Sequence, residues 1–421
     1  MYLTAGAGGM FCGSCLNDNT LARGLTKLKV DVVLVPTYTP ITTDEEDVSI
    51  DKVFFGGINV FLQQKFPPIR LLPAVFDRLL NHPQLIRWAT QKDIQANPEM
   101  LGEMTVSMLK GSAGFQKKEV RRLLDYLSDE KPQVVNFTNT LIAGCAPEIK
   151  RKLNVPIVVT LQGDDIFLDY ITEKHRDQCI QQIARLSDSI DAYVVHSEYY
   201  GEYMCERLGI PKEKVSVIKL GIEHTDFRAI NWTEDDPKCI GYLARLTPEK
   251  GFHVLVDAFI RLRQQRDDVK LCIAGWLGTE HKKFADEQFE KLSAAGFQDC
   301  YEYAGVVDRQ AKVEFLSQLD IFTVPTSYRE PKGRFALEAM ACGIPMVLPE
   351  HGAFPELIAD SESGVLVRPD DPEHLAEQLN SLLDDEPRRK TLGDAGRRAV
   401  LEHRSAEAMA KQTLDLYRSL K

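Results

Sequence analysis

Short runs of β-branched and apolar residues alternate with helical stretches along almost the whole chain. In the first half the runs fall at 2–4, 32–35, 134–137, 157–161, 192–195 and 215–218. In the second they fall at 240–243, 269–274, 301–303, 321–324, 346–348 and 365–367. Each is nearly continuous in apolar residues and bounded by turn residues, as expected of a strand covered on both faces of a parallel sheet. The stretches between them carry the helical period: Phe252, Leu255, Phe259 and Leu262 share one face, as do Leu375, Leu379 and Leu382. Two sets of six strand–helix units predict an α/β chain of two doubly wound, Rossmann-like domains facing across a cleft, with ligand in the crevice.

The alternation also shows where it stops. The boundary falls near 219–237, where 231–237 is polar and turn-rich, giving a first domain over 1–222 and a second over 223–400. The final stretch, 401–421, carries Met409, Thr413, Leu416 and Leu420 at helical spacing and reads as a closing helix. Within the first domain, about 61–118 reads as a helical insertion. Its part 61–92 is basic and apolar, with Lys65, Arg70, Arg78, Arg87 and Lys92 against the single acid Asp77. Such a segment can lie on anionic lipid, so peripheral contact with a membrane is an expectation for 61–92.

Length and composition narrow the class. A chain of 421 residues exceeds one ordinary core, and 44% apolar with 27% charged residues is a globular composition. The net charge of −11 argues against a general nucleic-acid binder, which needs a basic surface. Nine cysteines, an odd number scattered through a long chain, fit a reducing cytosol better than a disulfide framework. No apolar run approaches the ~18 residues of a membrane span, and the expected location is cytoplasmic.

The richest chemistry lies at 327–343, Ser-Tyr-Arg-Glu-Pro-Lys-Gly-Arg-Phe-Ala-Leu-Glu-Ala-Met-Ala-Cys-Gly. Glu330 and Glu338 stand seven residues apart with Pro331 and Gly333 between them. Pro331 biases Glu330 toward extended backbone, whereas the residues from Phe335 to Met340 are strong helix formers. Glu330 is therefore expected on a loop and Glu338 a turn or more into a helix. The free N–H groups of the helix start lie between them, an anion site to which Lys332 and Arg334 add positive charge. Carboxylates on either side of an anion site suit a ligand with hydroxyls and a phosphate, such as a nucleotide sugar.

This stretch, with its continuation through 343–371, resembles the signature of retaining glycosyltransferases of family 4 (glycosyl transferase group 1), which have the GT-B fold. The resemblance implies two Rossmann-like domains and a final helix returning to the N-terminal domain. It also implies hexosyl transfer, with retention, from a nucleotide diphosphate sugar to a hydroxyl of a sugar or lipid-linked acceptor. Glu330 would bind and orient the donor sugar. Glu338 would hold the ribose, with Gly333, Arg334 and Phe335 at the helix start. The segment Gly241-Tyr-Leu-Ala-Arg-Leu-Thr-Pro-Glu-Lys-Gly251 resembles the family's phosphate-binding loop. There Arg245 offers a fork to two phosphate oxygens and Lys250 a point charge. No Asp-x-Asp motif is present, so neither a metal nor another cofactor is expected. Gly305 and Val306 stand where the family frames the nucleotide base.

In the first half, Ala5-Gly-Ala-Gly-Gly9 follows the first strand. Phe11 occupies the place of the third glycine of a dinucleotide fingerprint, which disfavours hydride transfer. The resemblance assigns Gly8 and Gly9 instead to close approach of the donor. Cys12 and Cys15 form a C-x-x-C at a helix start, without the two further ligands of a zinc site. Gln162 stands where the family usually has a histidine near the donor sugar; an amide can hydrogen-bond there but cannot titrate. Asp164 and Asp165 are expected to cap the next helix, and His196 to be a strand-end histidine. Two other readings remain open on sequence: a GT-B nucleotide-sugar epimerase or hydrolase, and a non-catalytic nucleotide-sugar-binding protein.

Overall fold

The computed structural model describes residues 1–6, 13–55, 97–230 and 237–421. The chain divides into two units, one of Met1–Lys219 with Met409–Lys421, the other of Leu220–Ala408. The insertion's basic part, 61–92, and the residues Gly8, Gly9 and Cys12 lie outside the described residues.

The first unit opens with β1 (Tyr2–Thr4), α1 (Gly13–Lys27) and β2 (Leu34–Pro36), and resumes with α2 (Pro98–Leu109) and α3 (Lys117–Glu130). There follow β3 (Val135–Phe137), α4 (Ala146–Leu153), β4 (Ile157–Thr160), α5 (Asp164–Tyr170) and α6 (Glu173–Leu186). The unit's sheet is completed by β5 (Ala192–Val195), α7 (Glu198–Leu208) and β6 (Val215–Val217). The second unit holds β7 (Lys238–Leu243), α8 (Phe252–Arg263), β8 (Val269–Ala274), α9 (Lys282–Ala294) and β9 (Tyr301–Tyr303). It continues with α10 (Arg309–Leu316), β10 (Ile321–Phe322), α11 (Arg334–Ala341), β11 (Met346–Pro349), α12 (Phe354–Ser361) and β12 (Gly364–Val367). The helices α13 (Pro372–Leu383), α14 (Glu386–His403) and α15 (Ala406–Ser419) close the chain. Every expected apolar run is a strand, with ends within two residues of the expected ones. β10 is the shortest of them, and Pro325, which has no N–H to give a ladder, follows just beyond it.

Among the described residues all strand pairs are parallel. The first sheet has the order β2-β1-β3-β4-β5-β6 and the second β12-β11-β10-β7-β8-β9. Each order reverses once, between β1 and β3 and between β7 and β10. At such a reversal the loops after the two strands diverge to opposite faces, leaving a crevice at their carboxyl ends. The strands are buried throughout their length in β1 to β5, where Leu3, Val135, Val159 and Val195 have no exposed surface. Residues 409–421 are held to the first unit in part by Tyr417, whose hydroxyl donates to Asn136 Oδ1 at 3.0 Å.

Among the described residues no helix is long and apolar enough to cross a membrane.

Candidate active site

At the reversal of the second sheet, the loops after β7 and β10 carry the residues singled out from the sequence. β7 ends at Leu243, and the chain passes through Arg245 into a short 3₁₀ turn, Pro248–Lys250, before α8. Tyr242 fixes this loop by donating its hydroxyl to Arg245 O at 2.8 Å. Gly251 closes it with φ +69°, and a Cβ there would lie 1.6 Å from Pro325 O. Only glycine allows the two loops to approach so closely. This contact brings Lys250 to the chain after β10.

There Lys250 Nζ donates to Tyr328 Oη at 2.7 Å and to Glu330 Oε2 at 2.8 Å. Tyr328 Oη donates to the same carboxylate oxygen. The ammonium also lies 4.7 Å from the centre of the Tyr328 ring and 5.3 Å from that of Phe335. Glu330 Oε1 accepts the N–H of Gly333 at 3.2 Å. The loop after β11 supports the backbone: Ala353 N donates to Glu330 O at 2.8 Å. A Cβ on Gly352, whose φ is +63°, would meet that same oxygen at 2.6 Å.

The electrostatics of Glu330 follow from this cage. Burial alone would raise the carboxyl's pKa, but the charge and hydrogen bond of Lys250, with the bonds from Tyr328 and Gly333, outweigh it. The result is a pKa of about 2. Such a group is a fixed negative charge, suited neither to giving nor to taking a proton at neutral pH.

Gly333 is the N-cap of α11, with no side chain capping the helix start. Glu338 sits in the second turn and is 4% exposed. It faces two cations: Lys312 Nζ of α10 at 3.1 Å and Arg334 Nε at 3.4 Å. Phe335 packs between Phe322 and Phe354, with ring centres 6.1 and 6.0 Å away. Arg245, by contrast, points outward and pairs only loosely with Glu249 at 3.2 Å, its side chain 45% exposed. An exposed pair of this kind contributes little and leaves the guanidinium free to re-aim. Gly305 O accepts Gly275 N at 2.8 Å, and the Val306 side chain stands exposed beside it. The second unit thus joins Lys250, Glu330 and Gly333 by direct bonds, with Glu338 and Arg334 on the same helix. The bonds described for Gly305 and Val306 do not link them to that group.

In the first unit Gln162 is held in a buried polar cluster centred on Asp18 of α1. Asp18 accepts from Thr4 Oγ1 at 2.6 Å, Thr138 Oγ1 at 2.6 Å, Gln162 Nε2 at 2.8 Å and Tyr2 Oη at 2.9 Å. Burial raises its pKa to about 6 against the lowering effect of these four bonds. Gln162 Nε2 also donates to Thr138 Oγ1 at 3.1 Å, and its Oε1 accepts from Asn17 Nδ2 at 3.0 Å. Both amide hydrogens are thus committed within the protein. His196 follows β5; its Nδ1 meets Ile218 O at 2.8 Å, which makes Nδ1 the protonated nitrogen. The expected capping by aspartate is not what the structure has at α5. Gly163 is the N-cap there, with no side-chain cap bond, and Asp164 and Asp165 are the first helical residues. Asp164 instead accepts from Thr140 N and Oγ1, and Asp165 from Tyr200 Oη at 2.6 Å. Cys15 is buried in the first turn of α1.

Sequence reasoning passed over Tyr328, Lys312 and Asp18. Tyr328 had a signal, since residues two apart on extended chain share a side. Lys312 and Asp18 had none, because a charged helical residue reads as solvated until its neighbours in space are known.

Among the described residues no group of three His, Cys, Asp or Glu side chains is placed to hold a metal ion.

The family described as "Glycosyl transferases group 1" matches residues 223–399, and that described as "Glycosyltransferase Family 4" matches 106–226. The chain belongs to glycosyltransferase family 4. An uncharacterised glycosyltransferase of Methanocaldococcus jannaschii is 26% identical over 421 aligned residues, covering 96% of this chain and 94% of its own. The alpha-maltose-1-phosphate synthase of Mycolicibacterium smegmatis is 34% identical over 193 residues, 43% of this chain and 48% of its own. The fold is GT-B. Sucrose-phosphate synthase from Thermosynechococcus elongatus superposes with a TM-score of 0.71 at 19% identity, covering 100% of this family 4 chain and 98% of its own. Anabaena HepE in complex with UDP gives 0.70 at 15% identity, covering 100% and 99%.

Proposed function

We propose that this family 4 glycosyltransferase moves a hexosyl group from a nucleoside diphosphate sugar to an acceptor hydroxyl, with retention and without a metal. The observation that carries the reading is the buried Lys250–Glu330 pair at the sheet reversal, beside the start of α11. Lys250 uses two of its three N–H groups on Tyr328 and Glu330, and the third is directed to a phosphate oxygen of the donor. Arg245 swings from Glu249 to grip the diphosphate in a fork. Together with the N–H groups at the helix start they meet the charge that grows on the leaving group. Glu330, held ionised, faces the sugar as positive charge grows at the anomeric carbon. Because it is locked by three donors it is no nucleophile. The acceptor oxygen therefore enters on the face from which the diphosphate leaves, and the departing phosphate takes its proton. Glu338 receives the ribose hydroxyls. The basic, apolar composition of 61–92 supports peripheral contact with anionic lipid.

The donor is found by thermal shift with UDP, GDP and ADP sugars: a ligand at ~100 times its dissociation constant adds roughly 2.7 kcal/mol. Release of free nucleotide only when acceptor is present identifies a transferase; release without acceptor identifies a hydrolase, and binding without release a sensor. Two further outcomes are expected. Transfer in excess EDTA proceeds at the untreated rate, because Arg245 and Lys250 supply the positive charge; loss of activity restored by Mg²⁺ contradicts this. Glu338→Gln raises donor KM about 10-fold, the range of a hydrogen bond to a charged group, while kcat holds within about 2-fold. A fall in kcat at unchanged KM would move Glu338 from ribose binding to the chemical step.

A further inference from the structure

The first unit has a cavity of about 370 Å³ at the reversal of its own sheet. Ala5 and Gly6, after β1, and Thr138 and Asn139, after β3, line it. This is the position at which a doubly wound sheet takes a ligand, and the volume falls in the ~300–1,000 Å³ range of small-molecule sites.

One wall is a helix face. Leu101, Met104, Thr105 and Met108 of α2 recur at three- and four-residue spacing and all line the cavity. Asn97 sets that helix in place by capping it, its side chain accepting from Met100 N at 2.8 Å. Leu141, Ile142 and Phe167 continue the apolar lining. Leu101, Met104, Leu141 and Phe167 pack against the unit's core on one side and keep part of their surface exposed.

Several of the polar side chains on the same walls are turned to the protein. Thr105 Oγ1 donates to Leu101 O at 2.8 Å and Ser14 Oγ to Gln162 O at 3.3 Å. Thr138 Oγ1 donates to Asp18, and Gln162 Nε2 to Asp18 and Thr138. Asp164 accepts from Thr140 N at 2.7 Å, and Asn139 Oδ1 from Ile142 N at 3.2 Å. A free sugar entering here would leave its water with few donors to replace it. An aliphatic chain loses no hydrogen bonds and removes apolar surface from water.

We infer that the cavity holds an aliphatic chain carried by the acceptor, so that the acceptor is an amphiphile with a hydroxyl-bearing head, not a free sugar. Calling the ligand the acceptor rests on the glycosyltransferase reading above; binding of the chain does not.

The full-length chain is titrated calorimetrically with glucose and with methyl to nonyl glucosides, each below its micelle concentration. Affinity should rise ~4-fold per methylene, the value of a buried CH₂, and level off once the cavity is filled, with glucose binding least. Leu101→Gln and Met104→Gln, at partly exposed helix positions, should weaken octyl glucoside at least ~10-fold. Their melting temperature and nucleotide-sugar binding should match the parent. Equal affinity for glucose and octyl glucoside, or unchanged octyl glucoside binding in both variants, overturns the inference. Chain-length-dependent binding with no hexosyl transfer to octyl glucoside from any nucleotide sugar that binds overturns the acceptor assignment alone.

Discussion

Glu330→Gln is expected to lower kcat about 100-fold, or roughly 2.7 kcal/mol of transition-state stabilisation, with donor affinity little changed. The substitution keeps the shape of the side chain and an oxygen for the Gly333 N–H, which now lies 3.2 Å from Oε1. It removes the charge. In the ground state the donor sugar is neutral at its anomeric carbon and meets little more than a hydrogen-bond acceptor. In the transition state that carbon becomes positive, and the carboxylate, ionised down to about pH 2, acts where its charge counts most. Steady-state transfer and direct donor titration, with melting temperature measured alongside, separate the effects. A variant that binds and turns over donor normally removes Glu330 from the chemistry and favours the binding-protein reading.

The fold was legible because parallel strands covered on both faces must be apolar throughout, and twelve such runs stand out against polar helix faces. The site was legible in part. Glycines and prolines at 241–251 and 330–333 mark the loops, and charged residues within them mark the ligand. What sequence could not show is which charges meet. Lys250 and Glu330 are eighty residues apart in the chain and 2.8 Å apart in space. Their meeting depends on β7 and β10 being neighbours, an order that no local pattern encodes. The same holds for Lys312, twenty-six residues before Glu338. Asp18 illustrates a different limit. The polar run Asn17-Asp-Asn-Thr20 suggests a solvated turn of helix, yet all four residues are buried. Asp18 meets Thr4 at the end of β1 and Thr138 and Gln162 just beyond β3 and β4, Asn17 also meets Gln162, and Asn19 and Thr20 bond to the segment 45–48.

The pairing also sets an expectation for Lys250→Met. This variant keeps an apolar stem of similar length, removes the ammonium that lies over Tyr328 and Phe335, and leaves Glu330 buried without its cation, which costs about 3–5 kcal/mol where a buried pair loses one member. Removing both charges, in Lys250→Met/Glu330→Gln, should cost less than removing Lys250 alone, because no uncompensated charge remains. The pH dependence has a definite sign. In the parent the folded pKa of Glu330, about 2, lies below its ordinary 4.5. Its contribution is therefore complete above about pH 4.5 and is lost as the pH falls toward 2. Without Lys250, burial is the dominant influence and drives the pKa upward, so the variant takes up a proton at Glu330 as the solution is acidified. The stability gap between parent and variant should then narrow from pH 7 toward pH 4.5, and should stay constant in the double variant. Calorimetric melts of the four proteins across that range decide it. A gap that does not change with pH would mean that Lys250 does not set the ionisation of Glu330. Activity supplies the second readout: loss of the ammonium should lower kcat by at least about 100-fold, the scale of a removed transition-state donor. Normal turnover in Lys250→Met would assign the leaving-group charge to Arg245 and the helix start alone.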